Sequence, residues 1–245
     1  MKKIFKRILI ITGVIIAVFV LAFVGMMLKL KSEMKDFTPL ETGHVVDNIF
    51  VVKDDFANVF IMQDGEKYIV IDCGNNPKVV AEEMEKMGIF PENVVAVFLT
   101  HTDGDHVGAL SLFDHAKLYM SREEEQMING TTAKFLWFDN SIPRTDYILL
   151  DDREVVQIGN LKIETILVPG HTSGMTAYLI NDKYLFTGDI ASLTKDGKIA
   201  PIPAFFDMDT EQAVKSQEII RHIPTAEYIF TAHWGIADYQ TAVEK

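Results

Sequence analysis

The sequence predicts a mixed α/β chain, two packed sheets with covering helices, preceded by one apolar helix at the N-terminus. Three observations carry this. Short apolar or alternating runs recur between turn pairs, segments of helical period separate some of them, and an uncharged stretch stands at the front. At 245 residues and 48% hydrophobic content the chain has material for one ordinary domain with an addition.

The addition is the run from Ile8 to Leu28, 21 residues without a charge, which as a helix is about 31 Å long and matches the hydrocarbon thickness of a bilayer. It exceeds the usual ~7–15 apolar residues of a cleavable signal, and Met26, Met27 and Leu28 close it where a small-x-small site would stand. The expectation is an uncleaved anchor in the lipid bilayer through residues 8–28. Lys2, Lys3, Lys6 and Arg7 precede the run, while Glu33 and Asp36 dilute Lys29, Lys31 and Lys35 after it. That bias predicts a single-pass protein of the cell membrane, N-terminus cytoplasmic and catalytic domain outside. Residues 1–30 are thus read as cytoplasmic end and anchor, 31–43 as a charged, turn-prone stalk, and 44–245 as the catalytic domain.

In that domain, runs 44–53, 58–63 and 67–72 read as strands opening the first sheet, with a hairpin turn at Asp64-Gly65. Pro77 starts a covering helix, apolar at Val79, Val80, Met84 and Met87, that Gly88 stops. Residues 94–99 read as a buried strand, 107–110 as the start of a short helix, and 117–120 as a strand. Ser121 and Glu124 suggest a capping box for a helix ending near Ile128. Residues 129–144 lack periodicity yet hold Phe135, Leu136, Trp137 and Phe138, a pocket wall or simply core. Strands at 147–150, 155–158 and 161–168 are expected to start the second sheet. A hairpin on Asn181-Asp182 follows, then a loop at 190–208 with Pro201, Pro203, Phe205 and Phe206, read as pocket rim. Asp209 caps a helix to about His222, and strand 227–232 leads to His233.

The chemistry concentrates in Thr100–His106, T-H-T-D-G-D-H, which places His101, Asp103, Asp105 and His106 behind the apolar strand 94–99. Four nitrogen and carboxylate donors so close together repel or stay hydrated unless a cation gathers them, and imidazole with carboxylate suits zinc, iron or manganese. His171 after Pro169-Gly170, Asp189 after Gly188, and His233 each also stand just past a strand. All can therefore meet on one rim of a sheet sandwich.

These residues resemble the metallo-β-lactamase fold superfamily, whose pattern is H-x-H-x-D-H, a His after Pro-Gly, a Gly-Asp and a late His. The resemblance spans about Val45 to Gly235 and implies a four-layer αββα sandwich with a dinuclear metal site. By position, one metal would take His101, Asp103 and His171, the other Asp105, His106 and His233, with Asp189 bridging. The resemblance implies a hydrolase, expected to be membrane-anchored by the apolar run 8–28, in which a hydroxide bridging two divalent ions, zinc first and iron or manganese as alternatives, attacks an ester-like, amide or phosphoester centre. Asp105 is the candidate catalytic residue, orienting the water or receiving its proton. Thr172 and Ser173 are candidates to support His171 or Asp189 by hydrogen bonds.

Asp103 departs from the pattern, standing where the second His belongs. Two divalent ions against Asp103, Asp105 and Asp189 leave a formal +1, where the usual two carboxylates leave +2, and the added oxygen donor shifts preference toward harder metals. A carboxylate there also resembles the flavodiiron branch, so a diiron redox enzyme is one alternative, although that branch relies on a fused flavodoxin domain. A metal-binding sensing domain without turnover is the other.

The first 35 residues carry 7 basic and 1 acidic side chain, leaving 16 basic and 34 acidic over the rest, a net −18. Such a surface excludes nucleic acid as a partner and favours a small-molecule substrate that is not strongly anionic. The single cysteine, Cys73, excludes an internal disulfide and reads as a small buried residue. His44, His115 and His222 fall outside the pattern and receive no role.

Overall fold

The computed structural model describes residues 2–134 and 140–244; the aromatic stretch Phe135, Leu136, Trp137 and Phe138 lies outside them. The chain divides into two compact units at Phe37/Thr38.

The first unit is helix α1 (Lys2–Glu33) and a single 3-10 turn, Met34–Asp36. α1 exposes apolar side chains on every face, Ile8, Leu9, Ile15, Phe19 and Leu21 among them. It is long and apolar enough to cross a membrane, a property that signal sequences share. The helix runs on through Leu30–Glu33, where a turn-prone stalk was expected, because Lys and Glu are good helix formers and neither Gly nor Pro interrupts them.

The second unit is an αββα sandwich, as expected. Seven strands, β1 (Gly43–Val46), β2 (Ile49–Asp54), β3 (Ala57–Asp64), β4 (Lys67–Ile71), β5 (Val94–Phe98), β6 (Lys117–Ser121) and β7 (Tyr147–Leu150), lie side by side in chain order. The first four pair antiparallel and β4 to β7 pair parallel. The second sheet takes β8 (Val155–Ile158), β9 (Leu161–Leu167), β10 (Thr176–Ile180), β11 (Tyr184–Phe186), β14 (Tyr228–Thr231) and β15 (Gly235–Asp238), with β11 parallel to β14. A two-stranded ribbon, β12 (Ser192–Leu193) with β13 (Ile199–Ala200), lies between β11 and β14 in the chain.

Alternation sorts the side chains into layers. Along β3, Phe60 and Met62 enter the space between the sheets, while Val59 and Ile61 face the helical side with Val80 and Met84 of α2 (Pro77–Lys86). Along β11 and β14, Phe186 and Phe230 point inward, and Leu185 and Ile229 meet Ala213 and Ile220 of α5 (Thr210–Ile220) and Ala242 of α6 (Tyr239–Val243). Both long covering helices begin on side-chain caps: Asn76 Oδ1 accepts from Lys78 and Val79, and Asp209 Oδ1 from Gln212.

Four local expectations are corrected. Residues 44–53 form two strands, since Asp47 takes a left-handed φ of +48° and turns the chain there. β7 closes the first sheet beside β6 instead of opening the second, because an apolar run shows its strand character but not its sheet. The short helix, α3 (Gly104–Val107), starts three residues earlier than expected and so includes Asp105 and His106. Glu124 does not complete a capping box: its backbone N–H donates to Ser121 Oγ at 3.1 Å, but its carboxylate turns inward, ahead of α4 (Glu125–Ile128). After His233 the chain continues into strand β15 and helix α6.

Candidate metal centre

Strands β4, β5, β9, β11 and β14 each deliver a polar residue just past their C-terminal ends. β4 and β5 run parallel, and β9, β11 and β14 share one direction because β10 is antiparallel to both β9 and β11. The residues after them, Asp72, His101, His171, Asp189 and His233, therefore emerge along a common rim. Asp105 and His106 arrive on α3, with Asp103 at its N-terminus. Two glycines permit the close approach. A Cβ on Gly188, which has φ +51°, would lie 2.7 Å from Thr100 Cβ, and one on Gly108 would run into the backbone of Asn75.

The seven sequence-predicted residues come together, with the four histidines and Asp189 all buried. His101 and His106 ring centroids lie 3.9 Å apart, His101 and His171 4.8 Å, His106 and His233 5.7 Å. Asp103 Oδ2 lies 3.2 Å from His171 Nε2 and 3.6 Å from His101 Nε2. Asp105 Oδ2 lies 3.7 Å from His106 Nε2 and 3.5 Å from His233 Nε2. Asp189 reaches both groups, Oδ2 at 3.5 Å from His171 Nε2 and Oδ1 at 3.6 and 3.2 Å from His106 and His233 Nε2.

Ligands on one tetrahedral ion with bonds of ~2.0–2.1 Å stand about 3.3 Å apart, so these separations suit donors that share cations. Buried polar atoms nearly always have partners. Here His101 Nε2, His106 Nε2 and Asp189 Oδ1 have no hydrogen-bond partner and face one another. The triads His101–Asp103–His171, His101–His106–Asp189 and Asp105–His106–His233 could each hold a metal ion.

The far side of three rings is held in place, which aims Nε2 inward. His101 Nδ1 lies 3.0 Å from Thr100 Oγ1, His106 Nδ1 2.9 Å from Asp72 Oδ2, and His233 Nδ1 2.7 Å from the Phe56 carbonyl. Asp72 also accepts from Thr100 N and Oγ1, at 2.8 and 2.7 Å. His171 Nδ1 faces Asp207 Oδ1 at 3.5 Å, beyond hydrogen-bond reach. Neither Thr172 nor Ser173 supports His171 or Asp189 by these contacts: Thr172 Oγ1 donates to Glu124, and Ser173 Oγ to Met127 Sδ. Buried Glu124 instead ties the loops together, accepting from Thr102 N and Oγ1, Thr172 Oγ1 and Gly174 N.

Charge follows the same geometry. Burial, reinforced by His106, depresses His101 to about 4, so it is a neutral donor. Burial also opposes charge on His106, but Asp72, Asp189 and Asp105 outweigh it and hold the imidazole well above its ordinary value. His233 is raised in the same way, burial being overcome chiefly by Asp189. Burial works against ionised Asp189, yet His233 and His106 carry it well below the usual carboxylate range.

Sequence reasoning missed Asp72, Glu124, Asn140 and Lys134. Asp72 had a signal, a carboxylate directly after the buried strand β4, beside Cys73, which is buried with its thiol pushed well up by that burial. Asn140 Nδ2 donates to Asp103 Oδ1 at 2.9 Å, and Lys134 Nζ donates to Asp103 Oδ2. Both come from an aperiodic segment that offers no such signal. Of the histidines without a role, His44 lies 2.7 Å from the Asp47 carbonyl and His222 2.6 Å from that of Glu218.

The sequence matches the family described as Metallo-beta-lactamase superfamily over residues 52–233. It is 27% identical over 187 residues to a hydroxyacylglutathione hydrolase of a Synechococcus species, covering 74% of this chain and 64% of that protein. The chain thus spans less than two thirds of that relative's length. It is 34% identical over 132 residues to the "Probable polyketide biosynthesis zinc-dependent hydrolase PksB" of Bacillus subtilis, covering 50% of this chain and 53% of that one. A β-lactamase from Chitinophaga pinensis shares the fold, with TM-score 0.64 at 18% identity over 82% of this chain and 80% of that one.

Proposed function

The chain belongs to the metallo-β-lactamase superfamily of metallo-hydrolases, and from that premise we propose that it is a membrane-anchored, metal-dependent hydrolase of an ester-like, amide or phosphoester small molecule. One observation carries the proposal: buried donor atoms on His101, His106 and Asp189 that lack partners converge with Asp103, Asp105, His171 and His233 at 3.2–3.7 Å spacings. His101, Asp103 and His171 would hold one divalent cation, Asp105, His106 and His233 a second, and Asp189 would join them. Zinc is the first candidate, since one relative's name specifies a zinc-dependent hydrolase, with iron or manganese favoured to the extent that Asp103 supplies oxygen.

Bound divalent cations supply a water acidified toward neutrality and polarise the carbonyl or phosphoryl oxygen under attack. The chain's own residues do the rest. Asp105, about a quarter of its side chain open to solvent, receives the proton of the attacking water and passes it outward. Asp72, Thr100 and the Phe56 carbonyl keep His106, His101 and His233 aimed at the reacting centre. No side-chain nucleophile is required. Hydroxyacylglutathione hydrolases among the relatives favour an acyl centre, and the acidic surface disfavours polyanions.

Residues 1–30 serve as anchor, 31–43 as connection and 44–245 as the catalytic domain, with the N-terminus in the cytoplasm. The length of α1 and the basic residues ahead of its apolar run support this. The test is a panel of ester, thioester, lactone, β-lactam and phosphodiester substrates with and without chelator, run on membrane fractions. Turnover of at least one, lost with chelator and restored by zinc, is expected; turnover indifferent to chelator would overturn the proposal.

A further inference from the structure

Lys134 lies outside every motif used above, in the segment after α4. Four fifths of its side chain is covered. Its ammonium donates to Asp103 Oδ2 and lies 2.8 Å from His171 Nε2. Those atoms are two of the three donors of the first cation position. The other oxygen of Asp103 is also taken, by Asn140 Nδ2, which reaches Thr102 Oγ1 as well at 3.1 Å. A lone pair on His171 Nε2 accepts a proton from an ammonium or binds a metal ion, not both at once.

The second position differs. Among the described residues, Asp105 and Asp189 have ion-pair contacts only with histidines.

We propose that Lys134 is a built-in competitor for the first cation position: the chain first binds one divalent ion on Asp105, His106, His233 and Asp189, and a second loads only when Lys134 leaves Asp103 and His171. The proposal rests on the metal reading above. It makes the number of bound ions depend on metal supply, through a side chain outside the ligand motifs.

Equilibrium dialysis of the full-length chain in detergent against zinc, with cobalt absorption as a second readout, tests it. The wild type is expected to bind one equivalent tightly and a second about 100-fold more weakly, since two charge-assisted hydrogen bonds must be given up. Lys134→Met and Lys134→Gln should bind two equivalents with affinities within about tenfold of each other, while Lys134→Arg keeps the wild-type pattern. Two equally tight equivalents in the wild type, or a single equivalent in both uncharged variants, would overturn the competition and leave the metal reading standing. A wild type that binds no cation would overturn both.

Discussion

Between the two sheets, Phe186 and Phe230 stack at 4.4 Å, Phe60 sits 5.3 Å from Phe230, and Phe98 stacks on Tyr119 at 4.6 Å. The Tyr178 hydroxyl in that layer donates to the Leu99 carbonyl at 2.8 Å, and the opposite residue, Thr165, leaves a single hydroxyl without a partner. The rim is as deeply buried but concentrates such atoms, for His101, His106 and Asp189 all leave polar atoms without partners there. Burying such atoms is unfavourable unless something pairs with them. The difference teaches that folding energy comes from the interior, while the rim keeps buried polar atoms that the proposed cations would pair.

Substitutions in the two regions should therefore separate activity from stability. The largest effect belongs to the rim. Asp189→Ala should lower kcat/KM on whichever substrate is turned over by about 10³-fold or more, several kcal/mol of lost transition-state stabilisation, with the far-ultraviolet circular dichroism unchanged. Parallel loss of fold and activity would break the contrast. In the interior, Phe230→Ala should cost about 3–5 kcal/mol of stability, lowering Tm by roughly 2–4 °C per kcal/mol. Zinc affinity at temperatures where the variant is folded should stay near wild type, as titration would show.

Asp72 stands at the junction of the two regions, behind His106. Asp72→Asn removes the carboxylate that orients the ring and should weaken zinc binding about 10–100-fold, a loss smaller than that of a direct ligand and visible by competition with a chromogenic chelator.

The smallest effect is on pH dependence. With no cation bound, the raised pKa values of His106 and His233 contribute stability that is fully present below their ordinary value near 6.5 and is lost as pH rises through the raised values. The lowered pKa of Asp189 contributes stability above its ordinary value near 3.8 that is lost as pH falls through the lowered one. His101, held down at about 4 by burial, works the other way and costs stability as pH falls below its ordinary value, so cation-free protein is most stable at about pH 6.5. Zinc requires neutral imidazoles, so the Tm gap between loaded and cation-free protein should widen from pH 6 to pH 9. A gap that narrows would show that the histidines do not face the cation.

The layers and the seven rim residues were legible because both leave local signatures. Apolar runs between turn pairs marked strands such as 58–63, and polar residues placed just past buried strands marked His101, His171, Asp189 and His233. What escaped has no local signature. Tyr147–Leu150 reads as a strand, but its sheet is set by pairing with β6. Glu124 carries the spacing of a helix cap, yet the hydroxyls of Thr102 and Thr172, distant in sequence, draw its carboxylate inward. Lys134 meets Asp103 across 31 positions of the chain, and nothing in its surroundings announces the contact.

The most direct measurement is diffraction from zinc-soaked crystals at the zinc absorption edge. An anomalous peak within about 2.0–2.2 Å of His106 Nε2, His233 Nε2 and a carboxylate oxygen of Asp105 or Asp189 is the predicted result. Full occupancy of zinc elsewhere on the molecule, with no peak among those four residues, would contradict the assignment of the rim as a metal centre.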